Sequence, residues 1–210
     1  MAKVKNIKLL KRKQVCQVEL DSGEFLFLSM DLIIKFKISK NETINEQTQI
    51  QIKKEQRIFD AKRASLNYVS YKPRTEKQVR DKLRLLGFSS SEIELCIKFL
   101  KEFNYLDDEN FTEKYIKDNI KRKALSKKKL TYDLMRKGIS KDIIDKFINL
   151  LIKDEDDFEN AKKKLDKVKY KLKTLNESEQ KKYIYQYLLR QGFKSDTIKE
   201  VLKDYLITYQ

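Results

Sequence analysis

Two runs of cations are the residues with most capacity for chemistry. Lys121 to Lys129 holds six basic residues in nine and no acid, and Lys162 to Lys173 holds seven basic residues and one acid, Asp166. Ammonium and guanidinium groups at that density capture phosphate or a carboxylate-rich protein surface. A solvated helix face is the other reading for either run. Acids gather elsewhere, in Asp107-Asp108-Glu109 and in Asp154 to Asp157. Such groups can hold a divalent cation, but Asp and Glu more often stand at helix starts as caps. The chain has no His, so the usual general base and the usual metal ligand are missing. Cys16 and Cys96 lie in amphipathic segments without a His partner and read as buried thiols. No Gly-rich phosphate loop exists. The expectation is a binding protein with no catalytic residue, no metal and no cofactor.

The elements that position these cations are announced by glycine. Three of the four glycines sit in one phrase: Leu83-x-x-x-Gly87-Phe88, Leu134-x-x-x-Gly138-Ile139 and Leu188-x-x-x-Gly192-Phe193. Each phrase reads as a helix end, with Gly in the left-handed conformation and an apolar residue folding back on the last turn. Spacings of 51 and 54 residues mark an internal repeat. Other registers agree: Ile93, Ile144 and Ile198 each follow their glycine by six residues, and Leu100, Leu151 and Tyr205 by thirteen.

Each repeat predicts three helices. The first has Phe59 to Tyr71, stopped by Pro73. Next comes a helix capped by Thr75-x-x-Gln78, carrying Val79, Leu83 and Leu86. The third is Ser91 to Glu102, with Asn104 as a left-handed stop. The second repeat has Phe111 to Lys123, a helix capped by Ser126, and Lys141 to Ile152. The third has helices marked by Leu165, Val168 and Leu172, by Ile184, Tyr187 and Leu188, and by Ile198, Val201, Leu202 and Tyr205. Before the repeats, Val15 to Leu20 and Phe25 to Leu28 flank Asp21-Ser22-Gly23 as a β-hairpin. Lys3 to Leu10 offers a third strand, Met30 to Phe36 a short helix, and residues 39–54 a polar connector or solvated helix. The expected fold is mainly α: three tandem three-helix repeats in an elongated array behind a small N-terminal β-hairpin and short-helix extension. The expected boundaries are 1–58, 59–108, 109–158 and 159–210.

A net charge of +16 favours nucleic acid or an acidic partner, although an AT-rich genome also inflates Lys. No apolar run reaches the length of a membrane span, and no signal-peptide core opens the chain. The expectation is a cytoplasmic monomer with no membrane partner.

Longer stretches carry a family likeness. Tyr71-Lys-Pro-Arg74-Thr-Glu-Lys-Gln-Val-Arg-Asp-Lys-Leu83, then Gly87-Phe88, then Tyr105-Leu-Asp-Asp108-Glu-Asn-Phe111, resembles the RecX regulatory proteins. Leu134-x-x-x-Gly138-Ile139 and Leu189-Arg-Gln-Gly-Phe193 are similar to that family's second and third repeats. Leu20 to Glu24 and Asp31 to Lys35 look like the extension of some Gram-positive members. Two positions depart from the pattern. Asn104 stands where Gly usually precedes Tyr-Leu-Asp-Asp. Ala124-Leu125 replace a Gly ahead of the second helix of repeat two, which predicts a different turn there.

The resemblance implies a non-enzymatic modulator that binds RecA recombinase and its filament on single-stranded DNA. Such a protein restrains filament growth, ATP hydrolysis and strand exchange. The contact residues expected are Arg74, Lys77, Arg80, Arg84, Lys121, Arg122, Lys123, Lys127, Lys128 and Lys129, with direct DNA contact left open. The alternatives are a tandem helical DNA-binding protein independent of a recombinase, and a metal-dependent nuclease built on the acidic clusters. The aromatics Tyr68, Tyr71, Phe88, Tyr105 and Phe111 have helical spacing that predicts core packing rather than base stacking.

Overall fold

The computed structural model describes residues 1–11 and 15–209. They form two compact units: residues 1–72 with 79–106, and residues 73–78 with 107–210.

The first unit opens with strands β1 (Ala2–Leu10), β2 (Val15–Leu20) and β3 (Phe25–Leu28). Gly23, at φ 83°, makes the turn between β2 and β3. The third strand expected from Lys3 is therefore present, and a fourth is added. After helix α1 (Met30–Lys35), β4 (Thr43–Ile44) pairs antiparallel with the start of β1, giving the order β3-β2-β1-β4. Alternation puts Val4, Val18, Leu20, Leu26 and Leu28 on one face, where they pack with Ile38, Ile44 and Ile52.

Helix α2 (Glu46–Tyr71) joins two segments that the sequence reading kept apart. It is one helix of 26 residues, capped by Asn45, so residues 46–54 are helix, the second of the two readings given for 39–54, and run without a break into the helix expected from Phe59. The pattern looked weak because α2 serves two cores in turn. Ile52 packs under the sheet, whereas Ala61, Ala64 and Tyr68 pack on the next helices. A stripe that changes partners part-way shows no single amphipathic face.

Helices α3 (Glu76–Leu85) and α4 (Ser90–Glu102) follow. Val79, Leu83, Ile93, Cys96, Ile97 and Leu100 form their core. Cys16 and Cys96 are free and buried, and burial pushes the Cys96 thiol up. Arg57 of α2 ties this core to α4. Its guanidinium meets the Glu92 carboxylate at 2.7 and 3.1 Å and donates to the Gly87 carbonyl at 3.0 Å. These hydrogen bonds hold Glu92 down at about 2, against the opposing effect of burial and with help from the Ser89 N–H. A depressed carboxylate contributes stability above its ordinary value of 4.5 and loses it as pH falls toward about 2. Arg57→Ala is expected to lower stability at pH 7 by about 1–2 kcal/mol, discounted for the exposure of the guanidinium. It should also flatten the loss of stability between pH 4.5 and 2, read by urea unfolding at several pH values.

In the second unit, α5 (Asp108–Lys123), α6 (Lys127–Arg136) and α7 (Lys141–Leu151) enclose Ile116, Leu130, Leu134, Ile144 and Phe147. Helices α8 (Asp154–Asp166), α9 (Glu177–Arg190) and α10 (Ser195–Tyr209) enclose Ala161, Leu165, Leu172, Ile184, Leu188 and Ile198. The first helix of this last triplet starts at Asp154 and ends at Asp166. Val168 and Leu172, expected within it, lie beyond its end, on either side of a 3₁₀ turn at Lys169–Lys171.

All three helix ends have the geometry read from the sequence. Gly87, Gly138 and Gly192 have φ of 80°, 86° and 86°. The N–H groups of Phe88, Ile139 and Phe193 each reach back 3.2 Å to the carbonyls of Leu83, Leu134 and Leu188. Asn104 is left-handed too, at φ 56°. Ala124 ends α5 in the left-handed region as well, at φ 49°, against the penalty that a Cβ brings there.

Candidate nucleic-acid interface

The α5–α6 turn places the first lysine run. Lys121, Arg122 and Lys123 fill the last turn of α5, where the helix dipole favours cations. Ala124 turns the chain, and Lys127, Lys128 and Lys129 open α6, where the dipole opposes them. Two groups offset that opposition. The buried Asp157 carboxylate accepts from the Lys127 N–H at 3.1 Å, and Ser126 Oγ accepts from the Lys129 N–H at 3.2 Å.

The same device recurs at the start of α3. Glu76 N–H donates to Asp108 at 2.9 Å, as Lys127 N–H does to Asp157. Thr75 donates its hydroxyl to the Lys137 carbonyl at 2.6 Å, as Ser126 does to that of Gln191 at 2.9 Å. Each acceptor carbonyl stands immediately before a helix-ending glycine. Asp107 caps α5 through the Asn110 N–H at 3.0 Å, and Asp156 accepts from the Lys153 N–H at 2.7 Å. Among the described residues, no group of three or more Cys, Asp or Glu is placed to hold a metal.

The ten expected contact residues fall into distinct environments. Lys121, Arg122, Lys123 and Lys128 are exposed and, among the described residues, form no ion pair. Arg80 is engaged by Glu94 at 2.9 and 3.0 Å, and Arg84 by Asp81 at 3.0 Å. Lys129 meets Asp133 at 3.2 Å. Lys127 and Arg74 are half-buried. The stem of Lys77 lies against Gly138.

Folding adds charge to the α5 end from the second lysine run. Lys164 of α8 is half-buried, and burial pushes its ammonium below its ordinary value; Lys167 and Lys123 add like-charge repulsion. Others in that run are paired, Lys162 with Asp204 at 3.0 Å and Lys169 with Asp166 at 2.6 Å.

The structure also brings in residues the sequence reading passed over. On α6 the Tyr132 ring has Lys129 Nζ 5.1 Å and Arg136 Cζ 5.8 Å from its centroid. Lys137 Nζ lies 5.2 Å from the Tyr115 ring and 5.9 Å from Phe111, and those two rings stack at 5.9 Å. Only the spacing of Tyr132 from Lys129 and Arg136, three and four residues away, signalled this in the sequence. Of the five aromatics expected in the core, Tyr68, Phe88 and Phe111 pack against it. Tyr71 and Tyr105 are exposed, because each lies beyond the helix that would have buried it or at that helix's last residue.

Among the described residues, no helix is long and apolar enough to cross a membrane. Family models described as the first, second and third three-helix domains of RecX match residues 61–100, 107–147 and 154–202. The chain is 34% identical to a regulatory protein RecX of Clostridium botulinum over 210 residues, covering 97% of this chain and 96% of the relative. It is likewise 34% identical to that of Clostridium beijerinckii over 208 residues, with 97% and 95% covered. A solved regulatory protein RecX superposes with a TM-score of 0.76 at 26% identity, covering 97% of this chain and all of the other. RecX from Lactobacillus salivarius gives 0.64 at 28% identity, over 70% of this chain and 96% of that one. With three family domains matched in order and relatives aligned along nearly the whole length, this chain belongs to the RecX family of regulatory proteins.

Proposed function

We propose that the protein restrains RecA by binding the recombinase and its filament on single-stranded DNA, without making or breaking covalent bonds. The observation that carries this reading is the α5–α6 turn, where four exposed cations, Lys121, Arg122, Lys123 and Lys128, form no ion pair among the described residues, in a regulatory-protein family. Groups that stabilised only the fold would be paired, as Arg80 and Arg84 are. Unpaired cations in number suit a polyanionic partner, and repeated three-helix units suit a polymeric one, since weak contacts add through effective concentration.

The test is RecA ATP hydrolysis on single strands, titrated with this protein. The expected result is a progressive fall in ATPase, relieved by added salt. Unchanged ATPase together with sequence-preferring binding to naked duplex would instead assign a tandem DNA-binding protein. Mg²⁺-dependent cleavage of DNA, lost in EDTA, would assign a nuclease.

A further inference from the structure

We propose that α6 carries a base-stacking subsite for single-stranded nucleic acid, with Tyr132 as the platform. The inference rests on the proposed contact with DNA-bearing filaments and adds that bases, not only phosphates, are held.

Three observations converge on this face. First, Tyr132 is 54% exposed and Met135 beside it 51% exposed, on a helix whose other apolar residues are buried. An aromatic and a thioether left in water among cations form a surface suited to a flat apolar ligand that carries negative charge. Lys128 precedes Tyr132 by one turn and Arg136 follows it by one, so a strand whose base lies on the ring has a cation on either side for its phosphates. The two cations now near the ring do not close it. Arg136 sits at 5.8 Å, near the outer reach of a cation–π contact, and Lys129 is shared with Asp133. A cation over an exposed ring is the weaker contact; a stacked base displaces it, and the base's phosphate takes up the released charge.

Second, a cleft of about 360 Å³ shares Arg136 with the platform and is lined by Gln78, Tyr115, Asp133, Arg136 and Lys137. Gln78 has its carbonyl oxygen engaged by the Thr75 N–H at 3.2 Å, which leaves its amide N–H₂ as a donor. The Tyr115 hydroxyl and the Asp133 carboxylate add a donor and an acceptor of the kind that meets a base edge. The lining is polar and carries two cations, Arg136 and Lys137, against one acid, Asp133, which fits a nucleotide better than an apolar side chain.

Third, the platform is confined to one repeat. The position six residues before the helix-ending glycine is Tyr132 in the middle repeat, but Asp81 in the first and Gln186 in the third. Asp81 is committed to Arg84. A tyrosine held on the surface for packing would have no reason to mark only the helix that follows the exposed cations of the α5–α6 turn.

The chain contains no Trp, so Tyr132→Trp creates a single emitter at the site. Titration with a short oligothymidylate is expected to quench this emission, whereas an abasic strand of equal length should bind more weakly and leave it unchanged. Tyr132→Ala should weaken oligothymidylate binding about tenfold with the same salt slope, because no phosphate contact is removed. Tyr132→Phe should retain the affinity. Leu150→Trp, at an exposed site on α7, is the control whose emission should stay constant. Constant emission from the Tyr132→Trp variant, while a labelled strand shows binding by anisotropy, would overturn the proposal and reduce the contact to phosphates. Emission that changes only when RecA is added would overturn it in favour of a protein contact. Wild-type protein that binds oligothymidylate through Tyr132 yet leaves RecA ATPase unaffected would refute the filament reading and keep this one.

Discussion

Replacing Lys121, Arg122, Lys123 and Lys128 together by Ala is expected to weaken binding to single-stranded DNA about a hundredfold at about 0.15 M salt. The log–log salt slope should flatten by about 3, from roughly 0.7 per phosphate contact and four contacts. Inhibition of RecA ATPase should fall in parallel. The expectation rests on these side chains being exposed and free of ion pairs among the described residues. Stability should change little. Three of them leave a helix C-terminus that favours them, which costs a few tenths to 1 kcal/mol. Removing Lys123 relieves its repulsion of Lys164, which acts the other way. Arg80→Ala is the contrast, since Arg80 is engaged by Glu94 and its loss should leave the slope near the wild-type value. An unaltered slope in the fourfold variant, with folding intact by circular dichroism, would remove the α5–α6 turn from the interface.

Gly138→Ala is expected to destabilise the protein by about 3 kcal/mol, against about 1 kcal/mol for Gly87→Ala, measured by urea unfolding. Both glycines are left-handed, so both variants pay the backbone penalty of a Cβ at positive φ. They differ in what the new methyl meets. At Gly87 nothing lies within 4 Å. At Gly138 the methyl would fall 2.3 Å from Cβ of Lys77 and 2.5 Å from its Cδ. The Lys77 Cβ is fixed by its backbone, and that backbone is held by Thr75 on the Lys137 carbonyl and by Glu76 on Asp108. Relief therefore requires the helix start to move, an overpacking cost of about 1–3 kcal/mol beyond the strain. Gly192→Ala should fall between the two. Its methyl would meet Ser126 Oγ at 2.8 Å, displacing a hydroxyl that both donates to Gln191 and caps α6. Equal costs at all three glycines would show that the helix stop alone accounts for them.

Those three glycines also show where sequence reading reaches and where it stops. Their role as helix ends was legible, as were the Thr75 and Ser126 caps, the Asn104 stop and the strand pairing around Gly23. Each depends on groups within a few residues of one another, and local chemistry repeats wherever the same residues recur. The family likeness was legible for the same reason, since its motifs are these caps and stops in order. The lysine runs were visible as composition, but not which cations stay open. Arg80 and Lys128 look alike until Glu94 is brought to one and, among the described residues, no acid to the other. Helix α2 was read as two segments, the first left open between connector and helix, because its stripe answers to a sheet core at Ile52 and a helical core at Ala61, elements contributed by other parts of the chain. The second duty of Gly138 and Gly192, and the use of Asp108 and Asp157 as caps for helices 32 and 30 residues earlier, belong to the tertiary structure alone. A residue's own neighbours decide how the backbone turns. Which distant surface then fills the space beside that turn, and which charges are left facing solvent, is decided only when the packed helices close on one another.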